Sequence, residues 1–193
     1  MTFNKTIFIT GTPCVGKTSL ASSLFNELNK NYKVKLIKIN EFAISNNLII
    51  GNDPDKGYKI INIEKLDEYL QKDFENFFNQ ELDSSKIVIV EGHISHLCSN
   101  PDYVISLRLN PEILQNRLMD RNYSNEKINE NLEAEALGIC SQESYEIHKN
   151  KLNEIDCSNL NLDDLTNMVF DVLFDKINFP IGNVDYLDWI IEK

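Results

Sequence analysis

Eight residues near the start of the chain, Gly11-Thr12-Pro13-Cys14-Val15-Gly16-Lys17-Thr18, constrain everything that follows them. They spell G-x-x-x-x-G-K-T, a loop in which successive backbone N–H groups and one lysine surround phosphate oxygens. The preceding run Thr6-Ile7-Phe8-Ile9-Thr10 is short, β-branched and aromatic, which predicts a buried parallel strand. The following stretch, Ser19 to Lys30, puts Leu20, Leu24 and Leu28 on one stripe and predicts a helix. A chance match in a turn is the alternative. With Gly at roughly 7% of average sequence, accident supplies this pattern in about one chain of this length in a hundred or fewer. Its place directly after the first strand argues further for a phosphate site.

The chemistry accounts for the spacing. The N–H groups of Cys14, Val15, Gly16, Lys17, Thr18 and Ser19 are expected to curl around the phosphates, at the positive end of the helix. Gly16 lets the main chain approach closely and adopt torsions that a Cβ would oppose. Lys17 reaches the β- and γ-phosphates, and the Thr18 hydroxyl is a Mg²⁺ ligand.

The 193 residues, 42% of them hydrophobic, can bury one substantial core, so a single domain with excursions is expected. No stretch has the length of a membrane span, and the chain enters its first strand without a signal peptide. Cys14, Cys98, Cys140 and Cys157 show neither C-x-x-C pairing nor metal-ligand spacing. Reduced thiols and a cytoplasmic location are therefore expected. The net charge of −11 disfavours a bare nucleic-acid binder, whose affinity comes from neutralised phosphates. It suits a basic protein partner, or it keeps the chain soluble.

Further along, Lys33 to Ile39 reads as a second strand and Asn40 to Asn47 as a short helix. Gly51 to Gly57 is polar and turn-rich, either an exposed loop or a substrate-covering flap. Ile63, Leu66, Leu70, Phe74, Phe77 and Phe78 recur at helical spacing up to about Leu82, as packing rather than as a ligand box. Lys86 to Val90 is an apolar strand that leads into Glu91-Gly92-His93. An acidic residue there has the character of a Walker-B group orienting Mg²⁺, or else it caps a strand end. His93 falls where a γ-phosphate should lie, whereas His96 is taken as structural.

Tyr103 to Leu109 predicts another strand, and Asn110-Pro111-Glu112 starts a helix with an Asn cap, Pro in first position and an early acid. Arg117 and Arg121 lie four apart and share a face, either as two solvated charges or as a positive clamp on a transferring phosphoryl group. The polar segment Asp120 to Glu130 precedes one long helix with Ile128, Leu132, Ala136, Ile139 and Ile147 as a loose stripe. Asn153 to Cys157 is a candidate edge strand, and Leu162 to Ile177 a final amphipathic helix. The tail residues Val184, Tyr186, Leu187, Trp189, Ile190 and Ile191 either pack on the body or offer a partner an anchor.

With GTPCVGKTS at Gly11 to Ser19, IVIVEGH at Ile87 to His93 and RLMDRNYSNEKINENLEAE at Arg117 to Glu135, the chain resembles the adenylate kinase isoenzyme 6 family. These are small P-loop nucleotide kinases and ATPases tied to small ribosomal subunit maturation and ribosomal RNA processing. The resemblance runs from Ile7 to about Tyr145, and the last stretch is its most diagnostic part. It implies ATP and Mg²⁺ as cofactors, AMP or another nucleoside monophosphate as acceptor, and a basic small-subunit ribosomal protein as partner. It further implies a monophosphate-binding excursion at about Lys38 to Ile61 and a short lid at Asp120 to Glu130. Arg121 matches the lid arginine that contacts ATP; Glu91 and His93 match the family's acid and histidine near Mg²⁺ and the phosphates. Cys14 stands where the family usually has Gly, and Glu91 replaces the commoner Asp. Ile44 stands where relatives can carry Arg, which leaves the monophosphate contacts open.

The expected fold is a doubly wound α/β domain, with a five-stranded parallel sheet, helices on both faces and nucleotide at the C-terminal strand ends. Lys17, His93 and Arg121 are the expected catalytic residues, and Thr18 and Glu91 the expected metal ligands. Kinase activity toward AMP, an ATP-driven switch on a ribosomal protein, and a kinase for another small metabolite are the three readings.

Overall fold

The computed structural model describes residues 2–52, 59–80, 84–121 and 123–191. Its elements in chain order are β1 (Asn4–Thr10), α1 (Lys17–Leu28), β2 (Lys33–Lys38), α2 (Ile39–Ser45), β3 (Ile49–Asn52), β4 (Lys59–Ile61), α3 (Ile63–Phe78) and β5 (Lys86–Glu91). They continue with β6 (Tyr103–Arg108), α4 (Pro111–Met119), α5 (Asn125–Ala136), α6 (Ile139–His148), β7 (Leu152–Asp156), α7 (Leu162–Leu173) and α8 (Leu187–Ile191).

Five strands pair in the order β2-β5-β1-β6-β7, every pair parallel. The strand that opens the chain therefore lies in the middle. The chain runs outward to one edge through β2 and to the other through β7, so the order reverses beside β1. In an open parallel sheet, the crevice outside the C-terminal strand ends at such a reversal is where ligands bind. The phosphate-loop sequence begins there.

Strand alternation divides the core into two layers. Ile7, Ile9, Ile87, Ile89, Ile105 and Leu107 face one side, where they meet Leu20, Leu24 and Leu28 of α1, Leu114 and Leu118 of α4, and Leu165 and Val169 of α7. Phe8, Val88, Val90 and Val104 face the other and meet Leu66, Leu70 and Phe74 of α3. With both faces covered, the strands can be apolar throughout, and Lys86–Glu91 is buried along its whole length. Four helices start on a side-chain cap: Asn62, Asn110, Ser124 and Asn161 accept from the N–H groups of Lys65, Glu112, Lys127 and Asp164. For α4 this is the start predicted from Asn110-Pro111.

The structure departs from the sequence reading in four places. Ile49–Asn52 and Lys59–Ile61 pair as an antiparallel hairpin outside the main sheet, which the sequence reading did not predict. The rest of the polar turn, 53–58, lies outside the described residues. The predicted long helix after the lid is two helices, broken at Gly138 with φ 66°. A Cβ on Gly138 would lie 2.9 Å from Nη1 of Arg108, so the break lets a guanidinium in. The stripe fails accordingly: Ile128, Leu132 and Ala136 are buried, while Ile139 and Ile147 are exposed. The final helix stops at Leu173, leaving Ile177 exposed beyond it. Finally, α5 starts at Asn125, so half of the polar 120–130 segment is helical.

The tail packs on the body in part, with Leu187 and Ile191 left exposed. Phe179 and Trp189 lie against the first core layer, and Tyr186 stands 5.4 Å over the Arg108 guanidinium.

Candidate active site

A cavity of about 790 Å³ opens at the C-terminal ends of β1, β2 and β5. Its floor is the loop between β1 and α1. Gly11 takes φ 130°, and a Cβ there would come 2.5 Å from the Leu107 carbonyl oxygen of the neighbouring strand. Neither the torsion nor the space admits a side chain. Gly11→Ala is expected to lower the melting temperature by about 10 °C or more, from torsional strain and collision together. An unchanged thermal melt would show that the loop is not held in this shape.

Cys14 also adopts a left-handed conformation, φ 72°, which favours glycine and costs a Cβ-bearing residue about 1–2 kcal/mol. Helix α1 starts on Gly16 with no capping side chain and no acidic residue in its first turn. Its leading N–H groups therefore keep their positive potential for an anion.

Lys17 is buried, and its Nζ donates to the main-chain oxygens of Gly11 at 2.7 Å and Thr12 at 2.8 Å. Burial lowers its pKa, and the thiol of Cys140 and the carboxylates of Glu91 and Glu135 act against that shift. The Thr18 hydroxyl donates to Oε1 of Glu91 at 3.2 Å, bringing together the two residues proposed from sequence as metal ligands. Thr18 and Glu91 are hard oxygen donors, the kind Mg²⁺ takes; such a site draws its remaining ligands from water and substrate phosphates. Among the described residues no cluster of three or more His, Cys, Asp or Glu could hold a metal unaided. The donor set fits a phosphate-assisted Mg²⁺ site.

His93 is exposed to the cavity, yet the protein around that concavity disfavours its charged form, and Lys17 adds to the effect. Its pKa is lowered to about 4, leaving a neutral imidazole at the cavity wall. His96 is buried behind it, between the Thr10 hydroxyl at 2.6 Å and the Glu143 carboxylate at 2.9 Å. Its lowered pKa, caused by burial, marks a neutral ring with both nitrogens satisfied.

Ser19, Arg117 and Arg121 line the same cavity. Nη1 of Arg117 donates to the main-chain oxygens of Cys14 at 3.3 Å and Val15 at 3.2 Å, tying α4 to the loop. Val15 differs from the other expected phosphate contacts. Its side chain is buried in the core, and its N–H turns back on the Thr12 oxygen at 3.4 Å.

Lys38, Asn40 and Glu41, within the excursion expected at about Lys38 to Ile61 but not singled out there, line the cavity where β2 passes into α2. Sequence reasoning missed Glu135, which accepts the Thr12 hydroxyl. A signal for Glu135 was present: at i+7 from Ile128 and i+3 from Leu132 it occupies the inward stripe of α5, where a lone carboxylate needs partners.

Residues 7–138 match the sequence family described as AAA domain. A relative from Methanothermobacter thermautotrophicus is 37% identical over 96% of this chain and 99% of its own length, and carries the name "Putative adenylate kinase". Relatives of the same name from Methanococcus maripaludis (37% identical, 94% of this chain and 95% of theirs) and Pyrococcus furiosus (32%, 93% and 90%) match almost as widely. The chain belongs to this adenylate-kinase-like P-loop family. A solved structure of thymidylate kinase from Candida albicans covers 95% of this chain and 96% of its own, with a TM-score of 0.50 at 14% identity. That likeness concerns the fold: a P-loop nucleotide kinase arrangement of the five-stranded sheet. The names of these relatives and the matched domain support a kinase-type phosphotransferase. Among the described residues no helix is long and apolar enough to cross a membrane.

Proposed function

We propose that this protein transfers the γ-phosphoryl group of ATP to AMP, producing two ADP, with slow ATP hydrolysis when water takes the acceptor position. The observation that carries this reading is the Thr18–Glu91 pair, 3.2 Å apart, at the mouth of a phosphate loop that already holds an ammonium group. An oxygen of the acceptor phosphate bonds to the γ-phosphorus as the bond to the β–γ bridging oxygen breaks, and the leaving ADP takes the electron pair. No covalent enzyme intermediate is needed, because positioning and charge neutralisation supply most of the catalysis.

The loop N–H groups and Lys17 hold the β- and γ-phosphates. Bound Mg²⁺ would supply a Lewis acid at the phosphate oxygens, held by Thr18 and Glu91. His93, neutral, orients the acceptor or the attacking water by donating one hydrogen bond and accepting another. Arg121 faces the transferring group from the 120–130 segment, which serves as the lid, and Arg117 faces it from the end of α4. The start of α2 lies on the acceptor side, where Lys38 supplies the cation that Ile44 does not. On this reading Arg121→Ala folds normally and lowers turnover by about a hundredfold or more. A wild-type rate in that variant would remove Arg121 from the site.

The net charge of −11 favours a second, compatible role, as an ATP-switched factor in the cytoplasm that binds a basic small-subunit ribosomal protein and promotes ribosomal RNA processing. One experiment separates the two: ADP formation from Mg·ATP with a panel of nucleoside monophosphates and other small acceptors. Strong stimulation by AMP alone supports the kinase. Turnover indifferent to every acceptor, yet altered by a basic ribosomal protein, supports the switch in its place.

A further inference from the structure

Beneath the phosphate loop lies a buried ion-pair hub that the proposed chemistry does not use. Arg108 ends β6 at 4% exposure. Its Nε donates to Oε1 of Glu135 at 3.0 Å, its Nη1 to Oε1 of Glu154 at 2.7 Å, and its Nη2 to the main-chain oxygen of Glu135 at 2.7 Å. Both carboxylates are buried, so two negative charges share one positive charge away from water. Such a surplus is costly unless every oxygen has further donors.

The donors come from three parts of the chain. The Leu109 N–H reaches Oε1 of Glu135 at 2.9 Å, and the Gly182 N–H in the C-terminal segment reaches Oε2 of Glu154 at 3.0 Å. The Thr12 hydroxyl, in the phosphate loop itself, donates to Oε2 of Glu135. Thr12 is also the residue whose carbonyl oxygen holds Nζ of Lys17. One carboxylate thus fixes the side chain of a loop residue whose main chain fixes the ammonium group. A hydrogen bond to an ionised carboxylate is stronger than one between neutral groups, so this tether can hold torsions that the empty loop would otherwise explore.

We propose that Glu135 is a positioning residue for the phosphate loop, anchoring Thr12 to the Arg108–Glu154 hub so that the loop and Lys17 are set before nucleotide arrives. The inference rests on the reading of this loop as an ATP site. A phosphate cradle works through orientation, and small displacements of its donors reduce binding and rate together. The tether runs from the C-terminal end of α5, so the helix that follows the lid and the loop it covers share an anchor.

The test is calorimetric titration of the full chain with Mg·ATP, alongside thermal melts, for the wild type, Thr12→Val, Glu135→Gln and the double variant. Thr12→Val removes the hydroxyl and leaves the ion pairs intact. Glu135→Gln removes the charge from the tether. Each single change is expected to weaken Mg·ATP binding about tenfold, roughly the worth of one charge-assisted hydrogen bond. The double variant is expected to bind no more weakly than the weaker single one, because both changes cut the same tether. Singles that melt lower yet bind with wild-type affinity would overturn the proposal, since the hub would then serve stability alone. Fully additive losses would also overturn it. Should Glu135→Gln fail to fold, Thr12→Val decides alone by its affinity. A wild-type chain that binds no Mg·ATP sinks the site reading and this inference together; wild-type binding with unaffected variants sinks the inference only.

Discussion

Replacing Lys17 with alanine will abolish ATP turnover and leave the protein folded. Lys17 is 8% exposed, and its ammonium group already lies inside the loop, on the oxygens of Gly11 and Thr12. Nothing else in the loop itself carries a positive charge, since Arg117 reaches its carbonyls from α4. Removing one preorganised charge donor from a phosphoryl-transfer site costs about 10²–10³ in rate, and here two loop carbonyls lose their donor as well. The fold should tolerate the change. Burying an ammonium group is itself unfavourable, as the lowered pKa of Lys17 records, so its loss relieves one cost while it removes two hydrogen bonds. Single-turnover ADP formation and a thermal melt check both halves. A folded variant with the wild-type rate would take the phosphoryl group away from this loop.

Replacing Arg108 with leucine will destabilise the protein more than any single change at the cavity surface. Two buried carboxylates would lose their shared guanidinium, and breaking a buried pair by removing one partner costs about 3–5 kcal/mol. Tyr186, stacked over that guanidinium, would lose its contact too. Urea unfolding measures the loss, and a variant as stable as the wild type would contradict a hub held together by Arg108.

The parts legible from sequence are those governed by local rules. A G-x-x-x-x-G-K-T loop between an apolar strand and a Leu stripe fixes β1, the loop and α1 at once, because each element supplies the context of the next. Asn110-Pro111 located a helix start because its capping contact is local, from Asn110 to the Glu112 N–H. What escaped depends on residues distant in the chain. The break at Gly138 answers to Arg108, thirty positions earlier, and nothing in the neighbouring Leu137 or Ile139 announces it. The tether from Glu135 to Thr12 spans 123 positions. The hairpin of Ile49–Asn52 and Lys59–Ile61 escaped for another reason: with Ile50 and Ile60 exposed it buries little, so no clear apolar pattern marks it. Cys14, read as a departure from a family pattern, takes a left-handed torsion that glycine would adopt more easily.

Saturable binding of ATP in excess Mg²⁺ tests the central claim most directly, because the kinase, the switch and the anchored loop all require it. Titration calorimetry on the purified wild-type chain is predicted to give one site per chain, weakened when Mg²⁺ is chelated and lost in Lys17→Ala. Absence of binding at millimolar ATP, or equal binding by the wild type and Lys17→Ala, would contradict the account.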